Sequence, residues 1–515
     1  MKLKDILLSI CSGLFLTLSF PKLGYAYLAW VALVPLFWAL RGKSLKCSFY
    51  LGYIVGFVHF SGILYWIVHV ATTYGNLPYL LGIVVMALLV LYLSVYIAIF
   101  ALLFNFFGKA GLNQVLWAPV LWVSLEYIRS LALTGFPWEN LGCSQFSVLK
   151  IIQISDIFGV YGISFLIVLV NGLIFYVLWE PIPWFQKIKR YEVFLTLATV
   201  SLTFLYGGFR INHIESLEKE ATHLKITLVQ GCIDQAIKWN PSYQEETVNI
   251  YQHLTLDAKK DSPDLIIWPE TATPFYFLKE QEYSPIILDT VKKTGSFLLL
   301  GSPAYEVEDG ETRIFNRAYL ISPEAKVAGI YDKVHLVPFG EYVPLQRFLP
   351  FAKKLVGNVG VGDFYPGESS KGMPISQGKL GVLICFESIF PELSRDLVRN
   401  GVNLLVNITN DAWFGRTSAP YQHFSMAVFR AVENRVPLVR CANTGVSGFI
   451  DPCGRIKKTS PLFERLSMTE SVKMMGIKSF YTRYGDVFAI LCLFASILWG
   501  MKGLLILKKG VEYDK

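Results

Sequence analysis

The stretch Leu380-Gly381-Val382-Leu383-Ile384-Cys385-Phe386-Glu387-Ser388 joins a run of apolar residues to a cysteine and a carboxylate. Apolar residues between a glycine and a polar end are typical of a strand that is covered on both faces. A side chain at the end of such a strand is held rigidly and can still reach a cleft. The stretch therefore predicts a buried strand that presents Cys385 as a nucleophile, with a small core cysteine as the alternative.

Two further apolar runs end in groups that suit the chemistry of a thiol. The run Asp264–Glu270 ends in the carboxylate of Glu270, and the run Tyr331–Glu341 carries Lys333. A thiol needs a base to become a nucleophile, and the oxyanion that it forms needs a positive group. The carboxylate, the ammonium group and Cys385 together supply all three functions.

These segments, in this order, resemble the Glu-Lys-Cys motifs of the nitrilase (carbon–nitrogen hydrolase) superfamily. The whole chain resembles the membrane-embedded branch of that superfamily, the apolipoprotein N-acyltransferases. The resemblance implies that Glu270 is the general base, that Lys333 stabilises the oxyanion and that Cys385 is the nucleophile. Glu341 and Glu387 match two further glutamates of the family's active site. The resemblance also implies a nitrilase-like αββα sandwich, which periodicity alone does not specify.

Aromatic residues are the candidates for substrate binding. By the same resemblance, Trp239 of a Lys-Trp pair lines the acyl pocket, and Phe386 stands where related enzymes often carry tyrosine. Trp138 lies in the stretch Thr134–Asn140, which resembles the family's membrane-proximal loop. Aromatic residues at such a place are otherwise only interface anchors.

The segment Val343–Pro366 is too apolar for an ordinary solvated loop, and Phe348 and Phe351 are among its bulky residues. Its glycines allow it to hinge, and its basic residues suit an interface where positive groups meet phosphate. We therefore predict a mobile lid that dips into the membrane and admits acyl chains to Cys385. The alternative is a hydrophobic cluster that packs on the domain.

The stretch Asn407–Phe414 also fits the family. Asparagine and aspartate after a strand usually mean only a turn. Backbone amides near Asn410–Ala412 are nevertheless candidates to line the site. His423 on the following helix is interpreted as a packing or salt-bridge residue.

Composition places much of the chain in lipid. Of its 515 residues, 53% are hydrophobic and only 17% are charged, which is outside the range of soluble globular proteins. The net charge of +8 comes from short basic clusters between apolar segments. This pattern suits membrane topology and argues against a nucleic-acid partner.

Eight apolar segments predict eight transmembrane helices. They lie at about Ile6–Phe20, Tyr25–Leu40, Phe49–Val70, Leu77–Phe107, Val115–Leu131, Ile163–Leu178, Val193–Tyr206 and Phe488–Leu507. Basic clusters precede the first and follow the second, fourth, sixth and eighth, so that all fall on one side. Both termini are therefore expected in the cytoplasm, with the chain between the last two helices outside it.

In that outer segment, charges are spread throughout, and short apolar runs alternate with helix-like stretches, which predicts an α/β domain. We therefore expect a membrane domain at residues 1–209 with seven helices and an extracytoplasmic nitrilase-like catalytic domain at residues 210–485. Residues 486–515 would form the eighth helix and a cytoplasmic tail.

The eight cysteines show no spacing of a zinc site, so we expect neither a metal nor another cofactor. The sequence predicts no disulfide framework. It leaves open whether a pair among Cys232, Cys441 and Cys453 forms a disulfide.

The resemblance implies an acyltransferase of the bacterial inner membrane. It would move an acyl chain from a phospholipid, through a Cys385 thioester, to the α-amino group of the N-terminal diacylglyceryl-cysteine of an apolipoprotein. A membrane-tethered nitrilase-like amidase is one alternative, although eight spans exceed what a tether needs. A transporter with an appended domain is another, although the spans hold few ionisable groups, chiefly His59, His69, Glu126 and Arg129.

Overall fold

The computed structural model describes residues 1–179, 191–308, 310–342, 364–368 and 371–513. The chain divides into two units, and each is described by itself. The first comprises Met1–Val68, Leu80–Asn212 and Tyr484–Lys515. The second comprises His69–Tyr79 and His213–Arg483.

Helices make up the first unit. In chain order to residue 218 the helices are α1 (Leu3–Leu18), α2 (Val34–Ala39), α3 (Leu45–Leu64), α4 (Trp66–Thr73), α5 (Tyr79–Lys109), α6 (Gln114–Leu131), α7 (Leu149–Ile152), α8 (Ser155–Trp179) and α9 (Tyr191–Glu218). Residues 69–73 of α4, Tyr79 of α5 and residues 213–218 of α9 are counted with the second unit. The last helix, Val487–Tyr513, returns to the first unit, where Trp499 packs on Trp117 of α6 with ring centroids 4.2 Å apart.

Six helices in the described part of the chain are long and apolar enough to cross a membrane. They are Leu45–Leu64, Tyr79–Lys109, Gln114–Thr134, Ser155–Leu178, Tyr191–Glu218 and Val487–Ile506. The first of the eight predicted spans is a shorter helix, α1, with 16 residues. The count of eight therefore exceeds the number of long apolar helices that the structure describes.

The second predicted span, Tyr25–Leu40, is not one continuous helix. A 3₁₀ helix at Ala26–Trp30 precedes α2, which starts with a proline in its first turn, where proline's missing N–H is tolerated. The side chain of Asn171 in α8 donates to the carbonyl of Ala29 at 2.9 Å and accepts from the N–H of Leu33 at 2.8 Å. This amide supplies the hydrogen bonds that the broken helix cannot make, which lipid could not replace.

The second unit contains two six-stranded sheets within its described residues. The strands are β1 (His223–Gln230), β2 (Leu265–Ile267), β3 (Phe297–Glu308), β4 (Glu311–Ile321), β5 (Val327–Asp332), β6 (Met373–Ile375), β7 (Gly378–Ile384), β8 (Leu404–Thr409), β9 (Leu438–Ala442), β10 (Gly448–Ile450), β11 (Ile456–Thr459) and β12 (Leu466–Lys473). Their orders are β12-β1-β2-β3-β4-β5 and β11-β10-β9-β8-β7-β6. In the centres of the sheets, β1 to β3 are parallel, as are β7 to β9.

The two sheets pack face to face, and helices cover their outer faces. Ile267 and Leu320 of one sheet share a buried core with Val382 and Val406 of the other. The remaining helices of this unit are α10 (Gln244–Ala258), α11 (Ser284–Thr294), α12 (Pro391–Arg399), α13 (Ala419–Asn434) and α14 (Phe480–Tyr484). Of these, α10 and α11 pack on the first sheet, and α12 and α13 lie against the second. The unit is thus a helix–sheet–sheet–helix sandwich, the layer order that the resemblance implied, because strands with apolar side chains on both faces need cover on both.

Candidate active site

Cys385 directly follows the end of β7 and opens the 3₁₀ helix Cys385–Ile389. Its φ is +56°, in the left-handed region that residues with a β-carbon rarely occupy. Its side chain is half-buried. The sharp turn after a rigid strand therefore presents this thiol at the strand end, as the sequence predicted.

Lys333 lies just beyond the end of β5 and is 1% exposed, so it is not a surface lysine. Its Nζ donates to Glu341 Oε1 at 2.9 Å and lies 3.6 Å from Glu270 Oε1. Burial by itself lowers the pKa of Lys333, but the two carboxylates outweigh burial and raise it above its ordinary value. The lysine is therefore a fixed positive charge.

Glu270 is 6% exposed, and both of its carboxylate oxygens are held. Oε1 accepts from Asn316 Nδ2 at 2.8 Å, and Oε2 accepts from the backbone N–H of Asn410 at 2.8 Å. Asn316 Nδ2 also donates to Glu341 Oε1 at 2.9 Å. One amide nitrogen therefore bridges two carboxylates, and the backbone amide near Asn410–Ala412 lines the site as the sequence suggested.

The charges of Glu270 and Lys333 both affect the pKa of the Cys385 thiol. Burial raises its pKa, and so does the carboxylate of Glu270, whereas the ammonium group of Lys333 and a hydrogen bond with Thr409 act in the opposite direction. The net shift is upward, so the resting thiol keeps its proton. Attack by sulfur then requires a base, and Glu270 is a carboxylate that interacts electrostatically with that thiol.

Glu387 connects the turn at Cys385 to the residues that follow Lys333 through hydrogen bonds. It is fully buried, and its carboxylate accepts from the Tyr331 hydroxyl at 2.9 Å and from the backbone N–H groups of Val334 at 2.7 Å, His335 at 3.0 Å and Ile384 at 2.7 Å. Burial raises the pKa of Glu387 to about 7, against the effect of these donors. The carboxylate thus ties two segments together instead of pointing freely at a substrate.

Two of the predicted substrate-binding aromatic residues lie in this unit. Trp239 is half-buried, and the buried Nζ of Lys238 lies 6.0 Å from its ring centroid. That lysine donates to Thr271 Oγ1 at 2.6 Å. Phe386 is also half-buried and packs edge-on against Phe390, with centroids 5.1 Å apart. Both aromatic side chains keep some exposed surface, as an acyl-chain contact requires.

Of the other three predicted substrate contacts, the structure describes only Trp138. Trp138 belongs to the helical unit, where it is 1% exposed and packs against Trp66 and Phe136 at centroid distances of 5.0 and 6.1 Å. Phe348 and Phe351 lie outside the described residues, as do residues 343–363 of the predicted lid segment Val343–Pro366. The roles of these three aromatic residues stay predictions.

One segment that joins this unit was not predicted from the sequence. The hydroxyl of Tyr74 donates to the carbonyl of Ala412 at 3.0 Å, and its ring packs edge-on against Trp413 with centroids 5.0 Å apart. Tyr74 lies in His69–Tyr79, between two apolar helices. In the sequence this segment is only a short polar stretch between those helices, and such a stretch does not specify a tertiary contact.

The described cysteines are all free thiols. Cys441 is buried and its Sγ donates to the carbonyl of Ile267 at 3.2 Å, while Cys232 is half-buried. In the described residues, no disulfide joins these two cysteines to each other or to Cys453.

Comparisons with known proteins cover both units. Residues 12–173 match the family model of the apolipoprotein N-acyltransferase N-terminal domain, and residues 225–476 match that of carbon-nitrogen hydrolase. An apolipoprotein N-acyltransferase from Geobacter metallireducens is 47% identical over 95% of this chain and 93% of its own. One from Chlorobaculum tepidum is 30% identical over 99% of this chain and 97% of its own.

Among solved structures, Saccharomyces cerevisiae Nit3, a member of branch 10 of the nitrilase superfamily, is similar to 51% of this chain over 94% of its own, with 20% identity and a TM-score of 0.39. The two relatives match the helical and the sandwich parts together, over nearly their whole length and this chain's. The protein therefore belongs to the apolipoprotein N-acyltransferase family.

Proposed function

We propose that this protein N-acylates lipoproteins in two covalent half-reactions on Cys385. The observation that supports the mechanism is that three groups share one site. They are the hydrogen-bonded carboxylate of Glu270, the ammonium group of Lys333 and the thiol of Cys385 at the end of β7. The acceptor is inferred from the names of the relatives, which are called apolipoprotein N-acyltransferases.

In the first half-reaction, Glu270 takes the thiol proton and the sulfur of Cys385 attacks the acyl ester carbonyl of a phospholipid. The ammonium group of Lys333 stabilises the oxyanion of the tetrahedral intermediate. The ester C–O bond then breaks, and the proton passes from Glu270 to the departing oxygen. A lysophospholipid leaves, and the acyl chain remains as a thioester.

In the second half-reaction, the neutral α-amino group of a diacylglyceryl-apolipoprotein attacks the thioester carbonyl. Glu270 takes a proton from the attacking nitrogen while Lys333 again faces the oxyanion. The C–S bond breaks, and the proton moves from Glu270 to the sulfur of Cys385. An amide is formed and the free thiol is restored, so the cycle needs no cofactor. Trp239 and Phe386 supply apolar contacts for the acyl chain, with Trp138, Phe348 and Phe351 as further proposed contacts.

The same proposal includes the topology. Eight crossings arise if α1 and the broken segment Ala26–Ala39 cross together with the six long helices. Residues 1–209 and 486–515 then lie in and at the inner membrane with both termini cytoplasmic, and residues 210–485 lie in the periplasm. The one-sided basic clusters support this orientation. A reporter that is active only in the periplasm should work when fused after Pro461 and stay silent when fused after Lys46.

The test of the covalent step uses purified protein and a phospholipid with a labelled acyl chain. We expect a hydroxylamine-sensitive acyl adduct that is chased by a diacylglyceryl-peptide amine. Cys385→Ser should abolish it, because an alcohol is a far weaker nucleophile than a thiolate. The control Cys232→Ser removes another half-buried thiol and should keep it. Hydrolysis of a small amide without acyl transfer would instead support the amidase alternative.

A further inference from the structure

The backbone carbonyl of Cys385 is held by three side chains. His423 Nε2 lies 3.1 Å from this oxygen, the hydroxyl of Ser388 donates to it at 3.1 Å, and Asn407 Nδ2 donates to it at 3.3 Å. All three side chains are at most 1% exposed. The two reactions proposed above use none of them, so this buried group of donors needs its own explanation.

The contacts of His423 differ between its two ring nitrogens. Nε2 lies 3.1 Å from the carbonyl oxygen of Cys385, which only accepts, and 3.0 Å from Ser388 Oγ. Because the Ser388 hydroxyl gives its one proton to that carbonyl, Nε2 acts as the N–H that faces Cys385. On the other side of the ring, Arg440 Nη2 lies 2.9 Å from Nδ1, and a guanidinium group only donates. Nδ1 also lies 3.1 Å from Asp411 Oδ1, so a donor and an acceptor both face this nitrogen, and the contact between Nε2 and Cys385 is the same whichever of them it bonds.

Charged neighbours hold the ring in this orientation. Asp411 accepts from Arg440 Nη2 at 2.8 Å and from the Thr409 hydroxyl at 2.9 Å, and its Oδ1 lies 3.1 Å from His423 Nδ1. Burial and the guanidinium group of Arg440 lower the pKa of His423, against the effect of the Asp411 carboxylate. The buried pair of Asp411 and Arg440 thus fixes the ring with Nε2 facing the carbonyl of Cys385.

The residue that receives these hydrogen bonds is in a conformation that needs support. The φ of +56° at Cys385 is unfavourable for a residue with a β-carbon and persists only where its surroundings stabilise it. A change in that backbone angle would change the direction of the Cα–Cβ bond and move the sulfur. An error of about 1 Å in a reacting atom can reduce a rate by about 10²-fold.

We propose that His423 is a positioning residue that, together with Ser388, holds the carbonyl of Cys385 and so keeps its sulfur aligned with Glu270 and Lys333. This role rests on the proposed function of Cys385 as the nucleophile. His423 takes no proton in the reaction, because its N–H faces the carbonyl oxygen. A general-base histidine would need an unprotonated nitrogen directed at the sulfur.

Replacing His423 by glutamine or by asparagine tests the hydrogen bonds of its two ring nitrogens one at a time. In His423→Gln the amide nitrogen can replace Nε2 and donate to Cys385, whereas in His423→Asn the shorter amide can replace only Nδ1. We expect His423→Asn to slow acyl-thioester formation from labelled phospholipid about 10²-fold, with the KM for phospholipid changed less than about threefold. His423→Gln should keep at least about a tenth of the wild-type rate.

The comparison of the two variants decides the proposal. If folded His423→Gln forms the acyl-thioester no faster than folded His423→Asn, the hydrogen bond to Cys385 does not support the reaction and the proposal is wrong. If neither variant folds, Ser388→Ala removes a single hydroxyl from the same carbonyl and should lower kcat about fivefold, the effect of one neutral hydrogen bond, with KM unchanged. An unchanged kcat would then overturn the proposal. A wild-type protein that forms no acyl adduct would instead refute the proposed function.

Discussion

Two buried lysines lie beside Glu270, and their surroundings have opposite effects on their charge. Lys333 and Lys238 are each 1% exposed. Lys333 faces two carboxylates, those of Glu270 and Glu341, and its pKa is raised despite burial. Lys238 donates to the hydroxyl of Thr271 and, at 3.4 Å, to the backbone carbonyl of Glu270. Burial lowers its pKa to about 7, although the charge of Glu270 acts against this.

The difference shows that burial alone does not decide whether a lysine can stabilise an oxyanion. Ionised partners keep Lys333 positive at any working pH, whereas Lys238 has mainly neutral oxygen atoms around it. Lys333 is thus suited to electrostatic catalysis. Lys238 is suited to holding the chain that follows β2, where Glu270 lies. Substitutions at the two positions should therefore differ in size and in pH dependence.

The largest effect is expected for Lys333→Met, which keeps the length of the side chain and removes its charge. Acyl-thioester formation should slow at least about 10²-fold, the effect of losing one oxyanion-stabilising group. Single-turnover labelling of Cys385 with phospholipid measures this rate. A loss of less than about threefold would mean that Lys333 does not face the oxyanion.

Asn316→Asp tests the two carboxylates that keep Lys333 charged. The substitution preserves the shape of the side chain but replaces a donor to Glu270 and Glu341 by a third acidic group. Hydrogen bonds to charged acceptors are each worth about 1.5–3 kcal/mol, and if about 2 kcal/mol of the loss falls on the transition state, thioester formation slows about 30-fold. Circular dichroism confirms folding, and a wild-type rate would show that the bridging amide is dispensable.

The catalytic candidates were predictable because each ends an apolar run. Cys385, Glu270 and Lys333 carry reactive groups at strand ends, and the alternation of strands and helices predicted an α/β unit around them. Their convergence was expected from the resemblance, since spacing along the chain does not specify which strand ends meet. The sandwich itself was also expected only on that basis.

The supporting residues were not predictable for a physical reason. Asn316 lies in the middle of β4 and reaches Glu270 across 46 positions of sequence, and His423 lies within a helix and reaches Cys385 across 38. Their roles depend on tertiary contacts that have no local pattern. The broken second span is a similar case, because Asn171, 138 positions from Leu33, satisfies its backbone.

Lys238→Met should have a smaller effect on activity than the matched change at Lys333. It removes hydrogen bonds to Thr271 and to the backbone of Glu270 but no charge that faces the oxyanion. Loss of about two such bonds predicts a decrease of about 10-fold or less in thioester formation. A decrease as large as that in Lys333→Met would contradict the distinction between the two lysines.

The smallest expected effect is on stability, and its sign follows from the pKa of Lys238. Between pH 7 and about 10 the unfolded chain binds a proton at this lysine that the folded chain lacks, since the folded pKa is about 7 and the ordinary value is 10.5. The free energy of unfolding therefore rises with pH in that window, by at most about 1.4 kcal/mol per pH unit, and has no slope from this group below pH 6.

Lys238→Met removes this contribution. The wild type in detergent should therefore gain thermal stability relative to the variant from pH 7 to pH 9, seen as a growing difference between their Tm values. Lys333 is the matched control, because its raised pKa keeps it protonated in both states across the same window. The difference between the wild type and Lys333→Met should therefore stay constant from pH 7.5 to pH 9. Parallel curves for the two variants would show that Lys238 is charged in the folded protein, and the contrast between the lysines would then rest on their contacts alone.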